Sequence, residues 1–193
     1  MHAFKVLSSF IRSTRLLATG FASLLKIPGA NSLSKDYLRS LGVRVLVLDF
    51  DGVLASHGCS KLDPAMEAWF KSLDQEFLIY IWTNNPNPER IDFLNSYYQH
   101  LNFRILRHCP KKPDPKGLLS LSEDLAIEKS RILIVDDRLS TGVLAGLLAK
   151  TQVAWVFKPL QDFHYNPLQE LFFSIIRCVE KTYIQIGAII CRL

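Results

Sequence analysis

The fold of this chain is most constrained by an alternation of short apolar runs with single helical patterns between residues 43 and 157. One pattern typical of a helix separates each apolar run from the next, at residues 63–73, 87–99, 116–125 and 141–149. Strands joined through single helices form parallel crossovers, with helices on both faces of the sheet. We therefore predict an α/β fold, a Rossmann-like three-layer sandwich around a central parallel sheet. The five predicted strands have the sequences VRVLVLDF, FLIYIWT, FRIL, RILIVDD and VAWVF, at residues 43–50, 77–83, 103–106, 131–137 and 153–157.

Length and composition limit the chain to one core. The chain has 193 residues, 49% of them hydrophobic, which excludes disordered classes and leaves little room for a second full domain. Its cysteines are Cys59, Cys109, Cys178 and Cys191, and their spacing is neither that of a zinc site nor that of a disulfide framework. We interpret them as reduced thiols in a reducing compartment.

The positive charge is concentrated at the N-terminus. The net charge is +5, yet residues 1–44 hold seven basic side chains and one acid, and the remaining residues hold 16 basic and 17 acidic side chains. The body therefore gives no reason to expect nucleic-acid binding. Residues 1–29 contain no acid and carry apolar residues at steps of three and four, which predicts a basic amphipathic leader for a membrane interface or for targeting. A terminal helix packed on the domain's own core is the alternative.

The other end of the chain, residues 171–193, mixes apolar and basic residues. We expect a helix that docks on the body, which we assign to residues 30–170, or that shares the membrane surface with the leader. The uncharged runs at residues 16–25 and 182–191 are too short to cross a membrane, which takes about 20 residues.

Polar residues directly follow the predicted strands. In a parallel sheet the strand ends meet at one crevice, where ligands bind. Several carboxylates gathered there would repel each other strongly without a cation. Mg²⁺ prefers such oxygen ligands and commonly bridges them to a phosphate, so we predict a Mg²⁺ and phosphate site. The residues concerned are Asp49, Asp51 and Gly52 after the first strand, Thr83 and Asn84 after the second, Lys112 in the KKPDPKG segment, and Asp136 and Asp137 after the fourth.

Four motifs of this chain, in their order along the sequence, resemble those of the haloacid dehalogenase (HAD) superfamily of phosphotransferases. They are DFDGVL, Thr83 at a strand end, Lys112-Pro113 and Asp136-Asp137. Within it, the TNN, KKPDPKG and VDDRLSTGVLAG segments resemble subfamily IIIA, typified by YqeG-like phosphatases and mitochondrial phosphatidylglycerophosphate phosphatases. The likeness spans about residues 27–181.

The resemblance implies a role for each site residue. Asp49 would be the nucleophile that takes the phosphoryl group, and Asp51 the general acid and base. Gly52 would allow the turn that aims both aspartates into the crevice. Thr83 and the Asn84 backbone N–H would bind phosphate oxygens, and Lys112 would neutralise charge. Asp137, the Asp49 carboxylate and the Asp51 backbone carbonyl would hold Mg²⁺.

The sequence departs from this subfamily at Gly142, where the motif usually has an acid that supports the metal site. Loss of such support typically costs about 10- to 100-fold in metal affinity or activity. The paired Asp136-Asp137, another form of the motif in the superfamily, would compensate. A catalytically weakened, HAD-fold interaction protein is therefore one alternative function.

Only 32 residues separate Asp51 from Thr83 and only 29 separate Thr83 from Lys112, which leaves no room for a cap domain. An open crevice suits a phosphate carried on something large, and the basic leader favours an anionic membrane surface. We therefore expect a Mg²⁺-dependent phosphomonoesterase whose substrate is a phospholipid headgroup, with phosphatidylglycerophosphate favoured. The expected location is the cytoplasmic face of a membrane or, alternatively, the matrix side of the mitochondrial inner membrane. A soluble phosphatase for a sugar, nucleotide or protein phosphate is the other alternative.

Overall fold

The computed structural model describes residues 2–21, 24–73 and 75–190. Met1, Ala22, Ser23, Asp74 and residues 191–193 lie outside the described residues. The outer ends of the predicted leader and of the predicted C-terminal helix, including Cys191, therefore have no structural account.

The described residues form one six-stranded sheet in which every neighbouring pair of strands is parallel. The spatial order is β1-β6-β5-β2-β3-β4, so the predicted first strand, β2, lies between β5 and β3. This confirms the α/β class and the parallel sheet. The strands are β1 (Leu25–Ile27), β2 (Val45–Leu48), β3 (Leu78–Ile81), β4 (Arg104–Ile105), β5 (Ile132–Asp136) and β6 (Gln152–Val156).

Strand β1 corrects the sequence analysis, which placed residues 25–27 in a helical leader. The strand pairs in parallel with β6, and Ile27 is buried in the core beside it. Three residues are too few to distinguish the strand period from the helix period. The contact that decides the conformation is with β6, which lies more than 120 residues further along the chain.

The helices begin at recognisable caps. The Asp63 side chain accepts a hydrogen bond from the Ala65 N–H, and Pro64 occupies the first helical position, as predicted. Asn87 caps the next helix in the same way. The helices are α1 (His2–Arg12), α2 (Thr14–Gly20), α3 (Lys35–Ser40), α4 (Pro64–Ser72), α5 (Pro88–Tyr97), α6 (Lys116–Asp124), α7 (Leu144–Ala149) and α8 (Pro167–Ile190), and a π-helical turn, Leu139–Val143, precedes α7.

Alternate side chains of β2 point to the two faces of the sheet. Leu46 and Leu48 pack with α4 and α5, whereas Val45 and Val47 pack with α6 and α7. These two apolar layers make the predicted three-layer sandwich. Among the described residues, the β2–β3 connection holds only α4 and the β3–β4 connection only α5, so the expectation of no cap domain agrees with the structure.

The terminal helices pack against each other and against one face of the body. Phe10 of α1, Leu17 of α2 and Ile184 of α8 are all buried in the apolar layer that contains α7. The described part of the leader thus packs on the domain's own core, which is the alternative we stated. Phe4, Leu7 and Ile11 of α1 nevertheless stay exposed. No described helix is long and apolar enough to cross a membrane.

Candidate active site

The polar residues predicted at the strand ends converge on one pocket of about 280 Å³. Asp49 follows β2, Thr83 lies just beyond β3, and Asp137 follows β5. Because these three strands are neighbours in the sheet, their carboxyl ends bring the side chains together. The predicted residues that line the pocket are Asp49, Asp51, Thr83, Asn84, Lys112 and Asp137. Gly52 lies behind them, against Asp137.

Lys112 is the cation at the centre of the site. Its side chain is only 1% exposed, and Nζ lies 2.8 Å from Asp49 Oδ1 and 2.6 Å from Asp136 Oδ2. Burial opposes the charge of the lysine, but the Asp136 and Asp49 carboxylates outweigh it and raise the pKa of the ammonium. Lys112 is therefore a fixed positive charge beside the predicted nucleophile.

Asn84 holds the segment that carries Lys112. The Lys112 N–H donates to Asn84 Oδ1 at 2.8 Å, and Asn84 Nδ2 donates to the Lys112 carbonyl at 3.0 Å. This reciprocal pair makes the Asn84 side chain a positioning group for Lys112. The neighbouring Thr83 hydroxyl accepts from the Asn85 N–H at 3.1 Å, which leaves its own proton for a phosphate oxygen.

The Asp49 carboxyl lies in an environment that opposes its ionisation. Burial raises its pKa well above the ordinary value, Lys112 counteracts that rise, and the Asp136 and Asp137 carboxylates add to it. Asp49 Oδ1 also accepts a hydrogen bond from the Phe50 N–H at 2.8 Å. A nearby divalent cation would favour the carboxylate form that a nucleophile requires.

Three carboxylates could share such a cation. Oxygen atoms of Asp49, Asp136 and Asp137 lie within 4.8 Å of one another. Asp137 Oδ1 is buried and has no hydrogen-bond partner among the described residues, which is unusual for a buried oxygen and matches a vacant ligand atom. A set of hard oxygen donors suits Mg²⁺, so the residues present fit the predicted ion. The predicted metal ligands also include the Asp51 backbone carbonyl, which stays a prediction.

Asp137 also has a perturbed pKa. Burial raises the pKa of its carboxyl to about 7, Asp136 contributes to the rise, and Arg177 and Arg138 oppose it. Arg177 Nη1 donates to Asp137 Oδ2 at 2.8 Å. One Asp137 oxygen is thus paired with a guanidinium, while the other has no hydrogen-bond partner among the described residues.

Both the backbone conformation and the neighbouring Asp137 side chain require a glycine at position 52. Its φ is +85°, a left-handed conformation that favours glycine, and a Cβ at this position would lie 2.6 Å from Asp137 Oδ2. The predicted turn is present, and its absent side chain leaves space for the Asp137 carboxylate.

Gly142 has a comparable relation to Asp136. A Cβ at position 142 would lie 2.1 Å from Asp136 Oδ2. Asp136 is fully buried, and its Oδ1 accepts from the Arg138 N–H at 2.8 Å and from the Thr141 hydroxyl at 3.2 Å. The Asp136 carboxylate therefore occupies the space that a side chain at 142 would need, which accounts for the missing acid.

Two arginines and a buried histidine belong to the site although sequence reasoning did not place them there. Arg90 of α5 is buried, and its Nη1 donates to Asp51 Oδ2 at 3.0 Å. His57 lines the pocket and stacks on Phe173 of α8, with ring centroids 4.0 Å apart. The third, Arg177, also lies on α8. No local motif marks any of them. Arg90 and Arg177 reach the site through the packing of α5 and α8, and the His57 ring is placed by its stacking on α8.

The three tryptophans are part of the core. Trp82 and Trp155 are buried, and Trp69 packs in the core with its indole N–H donating to the Leu33 carbonyl at 2.8 Å. Lys116, at the start of α6, is exposed.

No protein-family model matches the chain, and no curated protein matches it. Similar solved structures include a predicted phosphoglycolate phosphatase from Haemophilus somnus, 19% identical with a TM-score of 0.44, which covers 55% of this chain and 48% of that one. Another is a HAD-superfamily hydrolase of subfamily IA from Geobacter sulfurreducens, 13% identical with a TM-score of 0.43, over 67% of this chain and 96% of that one. A third is a HAD-family enzyme from Bacteroides thetaiotaomicron with bound magnesium and inorganic phosphate, 13% identical with a TM-score of 0.44, over 64% and 98%. The second and third of these structures are described as HAD proteins, and none of the three identifies the subfamily that the motifs resemble.

Proposed function

We propose that this protein is a Mg²⁺-dependent phosphomonoesterase that works through an aspartyl-phosphate on Asp49. The observation that carries the proposal is the cluster of three carboxylates within 4.8 Å of one another, with buried Lys112 between two of them, at the carboxyl ends of parallel strands. Such a cluster is too acidic to bind an anion unless a divalent cation joins it. With a cation present, it becomes a site for a phosphate dianion.

Each chain residue has a step that its position allows. The Asp49 carboxylate attacks phosphorus, forming one P–O bond while the bond to the leaving alkoxide breaks. Asp51 gives a proton to that alkoxide and later removes one from the water that hydrolyses the aspartyl-phosphate. Thr83 and Lys112 hold the phosphoryl oxygens and offset their charge. Bound Mg²⁺ would neutralise the carboxylates and polarise the phosphoryl group.

We further propose a phospholipid substrate at a membrane surface, with phosphatidylglycerophosphate as the favoured compound. The support is a set of exposed apolar side chains on the two terminal helices, together with the basic character of the leader. Residues Phe4, Leu7 and Ile11 of α1 face solvent, as do Leu171, Phe172, Ile175 and Val179 of α8. Apolar and basic groups on neighbouring helices are the combination that binds an anionic interface. The cytoplasmic face of a membrane, or the matrix side of the mitochondrial inner membrane, would supply that interface.

The test measures phosphate release from p-nitrophenyl phosphate and from phosphatidylglycerophosphate in mixed micelles, with and without Mg²⁺. Wild type, Asp49→Asn and the matched exposed variant Asp124→Asn are compared. We expect release that needs Mg²⁺, disappears in Asp49→Asn, persists in Asp124→Asn and favours the lipid. Equal or better turnover of the small ester would reject the lipid in favour of a soluble phosphatase.

A second candidate, a HAD-fold binding protein without turnover, is favoured by one contact. Arg177 pairs with Asp137 Oδ2, which leaves only Oδ1 of that carboxylate for a metal. Isothermal titration with Mg²⁺ separates the two candidates, because the weakened protein would bind Mg²⁺ poorly and release no phosphate from either ester. Tight Mg²⁺ binding with turnover rejects it.

A further inference from the structure

An apolar groove of about 590 Å³ runs between α1 and α8. Leu7 and Phe10 line it from α1, and Phe172, Ile176 and Val179 line it from α8. Leu7, Phe172 and Val179 are each more than half exposed. Exposed apolar surface concentrated in a concave site usually marks a place where another molecule binds.

The groove is continuous with the phosphate pocket. Asn84, Arg138 and Thr141 line both cavities, and the Phe173 ring does so as well. A molecule that extends through this junction would place one end among the catalytic carboxylates and the other among aliphatic and aromatic side chains. One such molecule could therefore have an anionic end in the pocket and a hydrocarbon end in the groove.

Charged groups at the floor of the groove do not prevent hydrocarbon binding. Arg138 Nε donates to Glu180 Oε1 at 2.9 Å, and the Leu139 N–H and Ser140 hydroxyl also donate to that carboxylate. Glu180 and Arg138 thus neutralise each other, and both oxygens of Glu180 accept hydrogen bonds. Such a pair sets no strong charge requirement on a ligand that lies over it.

We propose that this groove binds the hydrocarbon chain of an amphiphilic phosphomonoester whose phosphate occupies the pocket beside Asp49. The proposal rests on the proposed function for the position of the phosphate. The narrow space between two helices suits a flexible chain, and its opening into the pocket at Asn84 fixes which end of the ligand carries the charge.

The experiment compares butylphosphonate with octylphosphonate, both below micelle-forming concentrations, by isothermal titration with the full chain and Mg²⁺. Phosphonates have no ester bond to hydrolyse, so binding is measured apart from turnover. Each methylene buried is worth about 0.8 kcal/mol, so four further methylenes correspond to a gain in affinity of up to about 200-fold.

Two variants test the two walls, each with a control on the same helix. Leu7→Gln and Val179→Gln change exposed groove residues, whereas Ile11→Gln and Ile186→Gln change exposed residues that do not line the groove. We expect the groove variants to lose most of the preference for octylphosphonate. The control variants should keep the preference.

Several results would overturn the proposal. One is equal affinity for the two phosphonates. Another is an equal loss of the octylphosphonate preference in groove and control variants. A third is binding of octyltrimethylammonium as tight as that of octylphosphonate. A wild-type dimer in sedimentation that Leu7→Gln and Val179→Gln convert to monomer would also overturn it, because a second copy would then fill the groove. Chain-length-dependent binding without turnover of any ester would leave the groove standing and reject the proposed function. Turnover of an ester without chain-length-dependent binding would leave the proposed function standing and reject the groove proposal.

Discussion

Substitution of Gly142 by alanine should destabilise the protein far more than one added methyl group normally does. The new Cβ would lie 2.1 Å from Asp136 Oδ2 and 2.6 Å from Asp136 Cβ. No real contact is that short, so either the π-helical turn or the Asp136 side chain has to move. Asp136 is held by the Lys112 ammonium, the Arg138 N–H and the Thr141 hydroxyl, and its movement would disturb all three.

The expected loss follows from these contacts. Overpacking a core costs about 1 to 3 kcal/mol, and breaking a buried ion pair costs about 3 to 5 kcal/mol. A displaced Asp136 also weakens its pairing with Lys112, so we expect a loss of about 3 kcal/mol. For a chain of this size that lowers Tm by about 6 to 12 °C. Gly142→Asp adds the same Cβ and a charge, so it should be worse still and should not restore a metal ligand.

The assay is thermal unfolding without Mg²⁺, with Gly20→Ala as the control. A Cβ at position 20 would lie 3.4 Å from Leu147 Cδ2, an ordinary contact, and this variant should melt close to wild type. If Gly142→Ala melted like Gly20→Ala, the conclusion that Asp136 fills the space at 142 would be wrong.

Three further predictions concern the buried charges. Lys112→Met should lower the free energy of unfolding by about 3 to 5 kcal/mol, because it leaves two buried carboxylates without their cation. Urea unfolding measures the loss, and an unchanged urea midpoint would contradict the prediction. Arg177→Gln should lower Tm without Mg²⁺ yet increase the rise in Tm that Mg²⁺ produces, because it frees an Asp137 oxygen; an equal Mg²⁺ effect in wild type would refute this. Burial lowers the pKa of His57, and Glu170 opposes that lowering. As the pH falls below about 6.5, His57 is therefore protonated in the unfolded chain before it is protonated in the folded protein, which favours unfolding. Tm of wild type should therefore fall more than that of His57→Asn between about pH 7.5 and 5.5, and parallel curves would show that His57 contributes nothing.

The sequence was sufficient to predict the parallel sheet and the residues at its strand ends. Asp49, Thr83 and Asp137 each follow an apolar run, and parallel strands necessarily bring such positions to one edge. Lys112 is less constrained, because it lies in a loop, and its position depends on the hydrogen bonds to Asn84. Its identification came from a family motif, and the structure places its Nζ between Asp49 and Asp136.

The residues that sequence reasoning missed depend on contacts between distant segments. Arg90 lies 39 residues from Asp51, and Arg177 lies 40 residues from Asp137. The helical period shows that a helix has a buried side, but not which neighbour that side meets. Strand β1 was missed for the same reason, since the strand it pairs with, β6, lies more than 120 residues further along the chain.

Helix α8 changes how the chain should be divided. From sequence, residues 171–193 form a separate helix that docks on a body at residues 30–170 or shares the membrane surface with the leader. In the structure, Arg177 pairs with Asp137, Glu180 pairs with Arg138, and Phe173 lines the pocket. One wall of the crevice is therefore built from α8. The exposed apolar side of that helix continues from the same wall, so a surface that α8 contacts would lie directly beside the cluster of Asp49, Asp136 and Asp137.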